Sequence, residues 1–335
     1  MNAAVLSDVL QNEAPGHRGA QLGHCSVKGP IHEASHCSIY FAECSNLPGP
    51  AAVKVCRSGP ERIPDPLAAA EQYEALTRIE AAWQRTNGQI EVAWQRTKGL
   101  QCVHPYALFK NQAIVVLEWV PGRSLGQIML ALRTSAPKAS ELASQAGRWL
   151  SAFHHLGRKP ARPMDAEQKR PIVESMYGWQ GAQNPAFRRS VDSLLAALPE
   201  AASTTVEHSW THGDFKMDNL LVEAECLTGI DVHLRHNNAV VYDLGSFLNH
   251  MELSCLDPRN PWRMDDRDRL ATHFLEGYCE QSSRPPVSAL TWCRMFQLLC
   301  NWNSVLERSA GVMRRTLLHW AFASTAARLR QQLGA

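Results

Sequence analysis

The pattern of apolar residues changes near residue 120, and this change limits the possible folds more than any other feature of the sequence. Before it, residues 36–44 and 51–56 are rich in β-branched, aromatic and small apolar side chains, and the turn-forming sequence SNLPGP separates them. A helical pattern follows, with apolar side chains three or four positions apart: Tyr73, Leu76, Ile79 and Trp83. The apolar run AIVVLEWV then ends at Pro121. The first third of the chain therefore predicts two strands, a helix and a further strand.

Beyond residue 120 the helical pattern dominates. The sequence SELASQAGRWLSAFHHLG begins with the capping residue Ser140 and stops at Gly157, and only short strands, NLLV and AVVYDL, interrupt the later helices. We predict an α+β fold with two lobes. We expect residues 23–120 to form a small β-rich N-terminal lobe that binds nucleotide, and residues 121–335 a larger, mostly helical C-terminal lobe. Residues 1–22 are predicted to be an N-terminal extension.

Charge and composition narrow the class of partner. The chain has 335 residues, of which 45% are hydrophobic and 20% charged, as is typical of globular proteins. A formal net charge of +2 gives no reason to expect nucleic acid or an anionic membrane as a partner. No apolar stretch approaches the ~20 residues of a spanning helix. No signal peptide opens the chain, and the ten cysteines contain no CxxC pair. We therefore expect a cytoplasmic protein with reduced thiols.

One polar segment, HSWTHGDFKMDNLLV, adjoins a leucine run that is typical of a buried strand. Asp214 and Asn219 are too far apart in sequence to face each other as i and i+4 residues of a helix do, but a loop that curls back into NLLV brings them together. Downstream, Asp243 follows the apolar run VVY at a glycine turn. Upstream, Lys54 lies inside the apolar strand AAVKVC, where an ammonium group needs a partner. These four residues form the candidate site.

The residue types of this site suit phosphoryl transfer. A carboxylate and a carboxamide oxygen are hard ligands for magnesium ions that also bind phosphate oxygens. A lysine neutralises the phosphates, and a further carboxylate accepts the proton of the attacking hydroxyl or orients it. Each residue taken alone also has a structural explanation, because Asp214 and Asn219 are common turn residues and Lys54 could be an edge-strand lysine. Their joint occurrence in this order favours the catalytic interpretation.

The segment HGDFKMDN, followed by YDLG, resembles the catalytic-loop and metal-binding motifs of the aminoglycoside phosphotransferase and choline kinase family. The family's loop runs His-Gly-Asp, four residues, Asn, and this sequence matches it at His212, Gly213, Asp214 and Asn219. The resemblance implies the two-lobed fold of protein kinases and the use of ATP and magnesium. It implies that Asp214 is the catalytic base, that Asn219 and Asp243 are magnesium ligands, and that Lys54 binds the α- and β-phosphates.

The resemblance extends to the segment VLEWVPGRSL, which is similar to the family's inter-lobe linker. By that likeness, backbone groups of Glu118, Trp119 and Val120 hydrogen-bond the adenine. The family also pairs the phosphate-binding lysine with a glutamate of the first helix. The register here points to Glu71, with Glu74 as the alternative.

Two features of the sequence depart from the family's pattern. The glycine-rich cover over the phosphates is missing, since the corresponding turn KGPIHEASH carries one glycine. The spacing from Asn219 to Asp243 is longer than the family's usual spacing, so we expect EAECLTGIDVHLRHNN to hold an enlarged hairpin. Both departures concern the phosphate and metal side of the predicted site.

Our leading hypothesis is an ATP- and magnesium-dependent phosphotransferase that moves the γ-phosphoryl group to a hydroxyl of a small molecule. The acceptor class stays open between an amino sugar, another sugar and an amino alcohol. The alternative is a catalytically silent pseudokinase that binds nucleotide, which the altered phosphate cover favours and the retained site residues oppose. Protein kinase activity is disfavoured because no activation segment ending in Ala-Pro-Glu is recognisable.

Overall fold

The structure is a computed structural model that describes residues 2–13, 21–34, 36–59, 61–87, 100–131, 136–224, 226–256, 264–308 and 312–334. The chain divides into two compact units. The first comprises Met1–Arg123 and Leu221–Leu234, and the second comprises Ser124–Leu220 and Arg235–Ala335. We predicted that all residues after 120 belong to the C-terminal lobe. Leu221–Leu234 instead belongs to the first unit, because strand pairing and a largely buried ion pair attach it there.

The helices in the described part of the chain are α1 (Ala3–Asn12), α2 (Pro66–Asn87), α3 (Leu125–Ala131), α4 (Ala136–His155), α5 (Arg170–Ser175), α6 (Pro185–Ala196), α7 (Leu198–Ser203), α8 (Val241–Cys255), α9 (Met264–Cys279), α10 (Val287–Arg308) and α11 (Val312–Gln332). The strands are β1 (Cys25–Glu33), β2 (Cys37–Cys44), β3 (Ala51–Ser58), β4 (Ile63–Pro64), β5 (Leu100–Cys102), β6 (Pro105–Phe109), β7 (Ile114–Glu118), β8 (Arg123–Ser124), β9 (Lys159–Pro163), β10 (Thr205–Thr211), β11 (Leu220–Glu223), β12 (Cys226–Gly229) and β13 (Arg235–Ala239). Most strands lie in the first unit and most helices in the second.

The main sheet of the first unit has the strand order β1-β2-β3-β7-β6, with antiparallel neighbours throughout. The hairpin predicted from residues 36–56 is the β2–β3 pair, in which Ile39 lies opposite Lys54. Side chains alternate between the two faces of β3. Val53 and Val55 therefore enter the hydrophobic core on one face, while Lys54 lies on the other. β12 pairs in parallel with β5.

Helix α1 packs into the core of the first unit. Leu6 and Leu10 are at most 2% exposed and belong to the same hydrophobic cluster as Val53 and Ile114. The helix begins with Asn2 as its capping residue, because the Asn2 side chain accepts a hydrogen bond from the Val5 amide. This part of the predicted N-terminal extension is thus an integral element of the first unit.

Two cysteines lie opposite each other on neighbouring strands of this sheet. Cys25 in β1 pairs in register with Cys44 in β2, and the structure joins them as a disulfide. The expectation that all ten thiols are reduced is therefore wrong for this pair. The register explains why the sequence did not reveal it: the partners are brought together by the β1–β2 pairing and not by a short cysteine motif.

The second unit is built from packed helices and a small antiparallel sheet of order β13-β10-β9. Helices α4 and α9 approach closely because each presents a glycine at the contact. A Cβ atom on Gly147 would lie 2.0 Å from the Phe274 carbonyl oxygen, and one on Gly277 would lie 2.1 Å from that of Ser144. In the part of the chain that the structure describes, no helix has the length and apolar content needed to cross a bilayer.

The segment around Asp243 differs from the prediction in its secondary structure. We expected a strand AVVYDL that delivers Asp243 at a turn, but β13 ends at Ala239 and α8 begins at Val241. Asp243 therefore occupies the first turn of a helix, where a carboxylate interacts favourably with the helix dipole. Apolar runs of this length do not distinguish a strand from a buried helix start.

Candidate active site

The loop after β10 brings together two of the predicted site residues. The Asn219 side-chain nitrogen donates hydrogen bonds to the Asp214 carbonyl oxygen at 2.8 Å and to Asp214 Oδ2 at 3.1 Å. Lys216 Nζ lies 2.5 Å from the same Oδ2 atom. The loop closes through a short 3-10 turn, Met217–Asn219, before entering β11. The predicted convergence of Asp214 and Asn219 is present.

His212 anchors this loop in the hydrophobic interior of the second unit. Its side chain is fully buried, and its ring contacts the rings of Trp149, Phe153 and Phe215. Its Nδ1 atom accepts a hydrogen bond from the Asp214 amide at 3.4 Å. The next residue, Gly213, has a φ angle of 84°, a conformation that residues with a Cβ rarely adopt. His212 therefore serves as a structural anchor that turns Asp214 toward solvent.

Asp243 is bound to the backbone of the same loop. Its Oδ2 accepts a hydrogen bond from the His212 amide at 2.6 Å, and its Oδ1 accepts one from the Gly213 amide at 3.1 Å. His154 Nε2 lies a further 3.1 Å from Oδ2, and Asp243 is 2% exposed. Both carboxylate oxygens are thus directed at N–H groups inside the second unit.

This environment argues against Asp243 as the predicted magnesium ligand. A magnesium ion retains several waters and needs ligand oxygens that face it, whereas these oxygens satisfy buried donors. Removing them from those donors would leave two backbone N–H groups without acceptors, which is costly. The carboxylate instead fixes the position of the loop that carries Asp214.

Lys54 has a different partner from the one predicted. Its Nζ atom lies 2.5 Å from Asp231 Oδ1, across 177 positions of sequence, and both residues belong to the first unit. The Lys54 side chain is 8% exposed and the Asp231 side chain 22%. Burial by itself lowers the pKa of Lys54, but attraction and hydrogen bonding from Asp231 outweigh it and raise the pKa. Lys54 therefore remains a cation.

The glutamates predicted to pair with Lys54 lie on the outer face of α2. Glu71 is exposed, and Glu74 forms an exposed i,i+4 ion pair with Arg78 at 3.7 Å. Gln72 and Tyr73, between them, are the buried residues of this turn. The register follows from the apolar stripe of α2, which turns Leu76 and its neighbours inward and both glutamates outward. The predicted Glu71–Lys54 pair is not formed.

The predicted adenine-binding segment, Glu118 to Val120, begins at the last residue of β7 in the main sheet of the first unit. The Glu118 amide donates to the His104 carbonyl at 2.8 Å, and the Trp119 amide donates to the Pro50 carbonyl at 3.1 Å. The Trp119 ring meets the Phe41 ring edge-on, with 5.2 Å between centroids. Of the backbone groups predicted to contact adenine, the N–H groups of Glu118 and Trp119 are therefore used within the unit, which leaves that of Val120 as the candidate donor.

The donor set of the chain fits a magnesium ion that is held largely by phosphate oxygens. Among the described residues, no group of three or more His, Cys, Asp or Glu side chains is arranged to hold a metal. Magnesium sites in nucleotide enzymes commonly use only one or two protein oxygens together with phosphates and water. The carboxylate of Asp231 in the first unit and, taken separately, the amide oxygen of Asn219 in the second unit are hard oxygen donors of the kind that magnesium binds.

Sequence reasoning missed Asp231 as a candidate. It follows the strand sequence CLTG in the segment that we assigned to an enlarged hairpin, and its φ angle is 58°. The missed signal was an apolar strand that ends in an aspartate, the same signal that drew attention to Asp243. Two aspartates after Asn219, Asp231 and Asp243, follow such apolar runs, and the sequence alone does not show which of them is the better candidate for a metal ligand.

Comparison with known proteins identifies the family and the fold of this chain. The family model described as "Phosphotransferase enzyme family" matches residues 62–290. A search of curated protein sequences finds no match. Similar solved structures include a Thermobifida fusca protein described as a fructosamine-3-kinase, at 18% identity over 97% of this chain and 98% of that one, with a TM-score of 0.54.

Two further structures are similar to a comparable degree. A glucosamine kinase is 12% identical over 96% of this chain and 98% of its own, with a TM-score of 0.54. An amicoumacin kinase is 12% identical over 97% of this chain and 92% of its own, with a TM-score of 0.59. At these identities the similarity concerns the fold, and it confirms the predicted α+β, protein-kinase-like class.

Proposed function

This chain belongs to the phosphotransferase enzyme family and is a small-molecule kinase, and we propose that it transfers the γ-phosphoryl group of ATP, with magnesium, to a hydroxyl group of an amino sugar. The observation that carries the proposal is the loop of Asp214, Lys216 and Asn219, held on the buried carboxylate of Asp243. Such a loop presents one partly exposed carboxylate in a fixed position, as a base for an incoming hydroxyl requires.

Asp214 is assigned the role of base. Its side chain is 35% exposed, and Oδ2 is held by Lys216 and Asn219. Oδ1 is the oxygen that would accept the hydroxyl proton. The nearby Lys216 ammonium is a candidate cation for the transferred phosphoryl group, since the Lys216 side chain is 32% exposed and its Nζ lies beside the base.

Lys54, Asp231 and Asn219 are assigned to the phosphates and the metal. Bound magnesium would neutralise charge on the phosphate oxygens. In the first unit, the Asp231 carboxylate would be a protein ligand of the metal, and it replaces Asp243 in the predicted set. Asn219 keeps the assignment that the resemblance gave it. Lys54 would bind phosphate oxygens, with Asp231 keeping its ammonium charged and directed.

Nucleotide selection is assigned to the end of β7. Backbone groups of Glu118, Trp119 and Val120 are the proposed adenine contacts, with Val120 supplying the N–H donor because the other two amides already donate within the unit. The Trp119 side chain, held edge-on by Phe41, is a wall for the base.

The acceptor class rests on the relatives. The glucosamine kinase is known in complex with glucosamine, ADP and inorganic phosphate, and the amicoumacin kinase in complex with AMP-PNP, Ca2+ and Ami. An amine-bearing sugar or sugar-like hydroxyl compound is therefore the first class to test. The pseudokinase alternative finds no support, because Asp214, Asn219 and Lys54 are present in ordered polar networks.

A screen of ATP consumption tests the proposal. The purified chain is incubated with ATP and magnesium over a panel of amino sugars that begins with glucosamine, followed by neutral sugars and amino alcohols. The Asp214→Asn variant is the matched control. We expect turnover on at least one amino sugar that falls by roughly 10²–10⁴-fold in the variant and stops with EDTA. Nucleotide binding, measured by thermal shift, should persist in Asp214→Asn. Turnover that survives in the variant would remove Asp214 from its role.

Two further expectations remain part of the proposal. The sequence predicts a cytoplasmic protein, and the Cys25–Cys44 disulfide is the observation that opposes this location, because cytosolic thiols are kept reduced. The predicted lack of nucleic-acid and membrane partners rests on the near-neutral charge.

A further inference from the structure

A second buried hydrogen-bond network, formed by residues outside the loop, also reaches Asp243. His154, in the last turn of α4, is 3% exposed, and its Nε2 atom lies 3.1 Å from Asp243 Oδ2. Its Nδ1 atom lies 3.0 Å from the hydroxyl of Tyr278 in α9, which is fully buried. The Ser209 hydroxyl donates to the His154 carbonyl oxygen. The histidine is thus bonded through both ring nitrogens and its backbone.

The directions of these hydrogen bonds follow from the chemistry of the groups. The Asp243 carboxylate can only accept, so His154 Nε2 carries the proton and donates it. At Nδ1, a neutral imidazole accepts the Tyr278 O–H and a protonated one donates to the Tyr278 oxygen, so the contact is a hydrogen bond in either form. Burial raises the pKa of the Tyr278 hydroxyl far above its ordinary value, which keeps it a donor. Tyr278, His154 and Asp243 therefore form a continuous series of hydrogen bonds in which each donor meets an acceptor.

The carboxylate of Asp243 needs such a third contact. Rotation about the bond to a carboxyl group has a broad energy profile, so two backbone donors alone do not fix the plane of the carboxylate firmly. A third donor on Oδ2, aligned from α4, fixes that plane and therefore the positions at which the His212 and Gly213 amides are held. Asp214 follows these two residues directly.

We propose that His154 and Tyr278 are positioning residues for the transfer reaction: Tyr278 orients His154, His154 orients the Asp243 carboxylate, and that carboxylate holds the backbone that places Asp214. The inference rests on the proposed function only in its claim about turnover. The claim about the loop backbone stands on the hydrogen bonds alone. Neither residue touches the predicted reacting groups, and neither was singled out by the sequence pattern.

Amide hydrogen exchange and kinetics on three variants test the proposal. His154→Leu removes both ring hydrogen bonds, His154→Gln retains a donor near the Nε2 position, and Tyr278→Phe removes only the hydroxyl. Trp292→Phe is the control, because it removes another buried side-chain hydrogen bond of the second unit, from Trp292 to the Leu194 carbonyl. Exchange is read on the peptide that contains the His212 and Gly213 amides, and turnover is read with ATP and glucosamine.

We expect exchange at this peptide to be at least ~10-fold faster in His154→Leu and kcat to fall by roughly 10–100-fold, with KM for ATP within about 3-fold of wild type. His154→Gln should restore most of both quantities, Tyr278→Phe should show a smaller change of the same kind, and Trp292→Phe should change neither. Unchanged exchange at the peptide in folded His154→Leu and Tyr278→Phe proteins would overturn the proposal. Faster exchange in a chain whose wild type turns over no acceptor would support the positioning chain and count against the proposed function.

Discussion

Asp231 and Asp243 follow apolar segments only a short distance apart in the chain, yet the structure gives them opposite environments. Asp243 is 2% exposed and accepts hydrogen bonds from two backbone amides of the loop that carries Asp214. Asp231 retains 22% of its side-chain exposure and pairs with the Lys54 ammonium. The first carboxylate is used to build the loop, whereas the second stands beside a cation that suits phosphate. The flanking sequence does not distinguish an aspartate with a structural role from one that is a candidate metal ligand. The solvent exposure of its side chain and the identity of its hydrogen-bond partners do.

Replacing the two acids by their amides separates the roles most strongly. Asp231→Asn should lower turnover by roughly 10²–10³-fold, because it removes a charged ligand for the metal nucleotide. It should also raise the magnesium concentration needed for half-maximal activity. Titration of activity with magnesium, with Asp243→Asn as the matched control, measures the difference. An unchanged magnesium requirement in Asp231→Asn, together with a raised one in Asp243→Asn, would restore Asp243 as the ligand.

In stability the order of the two variants should be reversed, with the larger loss in Asp243→Asn and the smaller in Asp231→Asn. Asp243→Asn presents an amide nitrogen to buried N–H groups, and we expect the free energy of unfolding to fall by about 3 kcal/mol. Asp231→Asn should cost less, because its side chain is partly exposed and can be solvated. Urea denaturation followed by tryptophan fluorescence measures both values. Equal losses in the free energy of unfolding would mean that the two carboxylates contribute similarly to stability.

The partner of Lys54 can be tested in the first unit. Lys54→Met removes a cation that pairs with a largely buried carboxylate, and we expect a loss of about 2 kcal/mol, below the usual cost of a broken buried pair because Asp231 is partly exposed. Glu71→Gln, at the exposed position first predicted to pair with Lys54, should stay within ~0.5 kcal/mol of wild type. Denaturant titration of both variants checks this, and a large loss in Glu71→Gln would return the glutamate to the site.

The smallest expected effect is a pH dependence of stability in the alkaline range. The pKa of Lys54 is raised in the folded state above its ordinary value of 10.5. Its ion pair therefore contributes stability fully below that pH and loses it as the pH rises through the higher folded value. Wild type should lose more stability than Lys54→Met between about pH 10 and 12. Parallel slopes of unfolding free energy against pH for the two proteins would contradict a stabilised ammonium.

The loop that carries Asp214 was predictable because its side-chain contacts are local in sequence. Asp214, Lys216 and Asn219 lie within a few positions of one another, and their side chains meet through the loop itself. The strand-rich start and helix-rich remainder were also predictable, since apolar periodicity reports which face of an element is buried. Residue types and spacing carry this information directly.

The partners of Lys54 and Asp243 were not predictable in the same way. Lys54 meets Asp231 across 177 positions, and the choice between Asp231 and two glutamates depends on how α2 turns its apolar face inward. The role of Asp243 depends on a helix that begins at Val241, where the apolar run had indicated a strand. These outcomes are set by packing of distant elements.

By itself the sequence determined the fold class, the loop that carries Asp214 and the residue types of a phosphotransferase site, because these follow from short-range pattern and chemistry. Only the tertiary structure decided which aspartate supports the loop and which one faces Lys54, and it also revealed the contact of His154 and Tyr278 with the loop's anchor. The physical reason is that a carboxylate's function depends on its solvent exposure and on its hydrogen-bond donors. Both are properties of neighbours that the chain brings from elsewhere in its length.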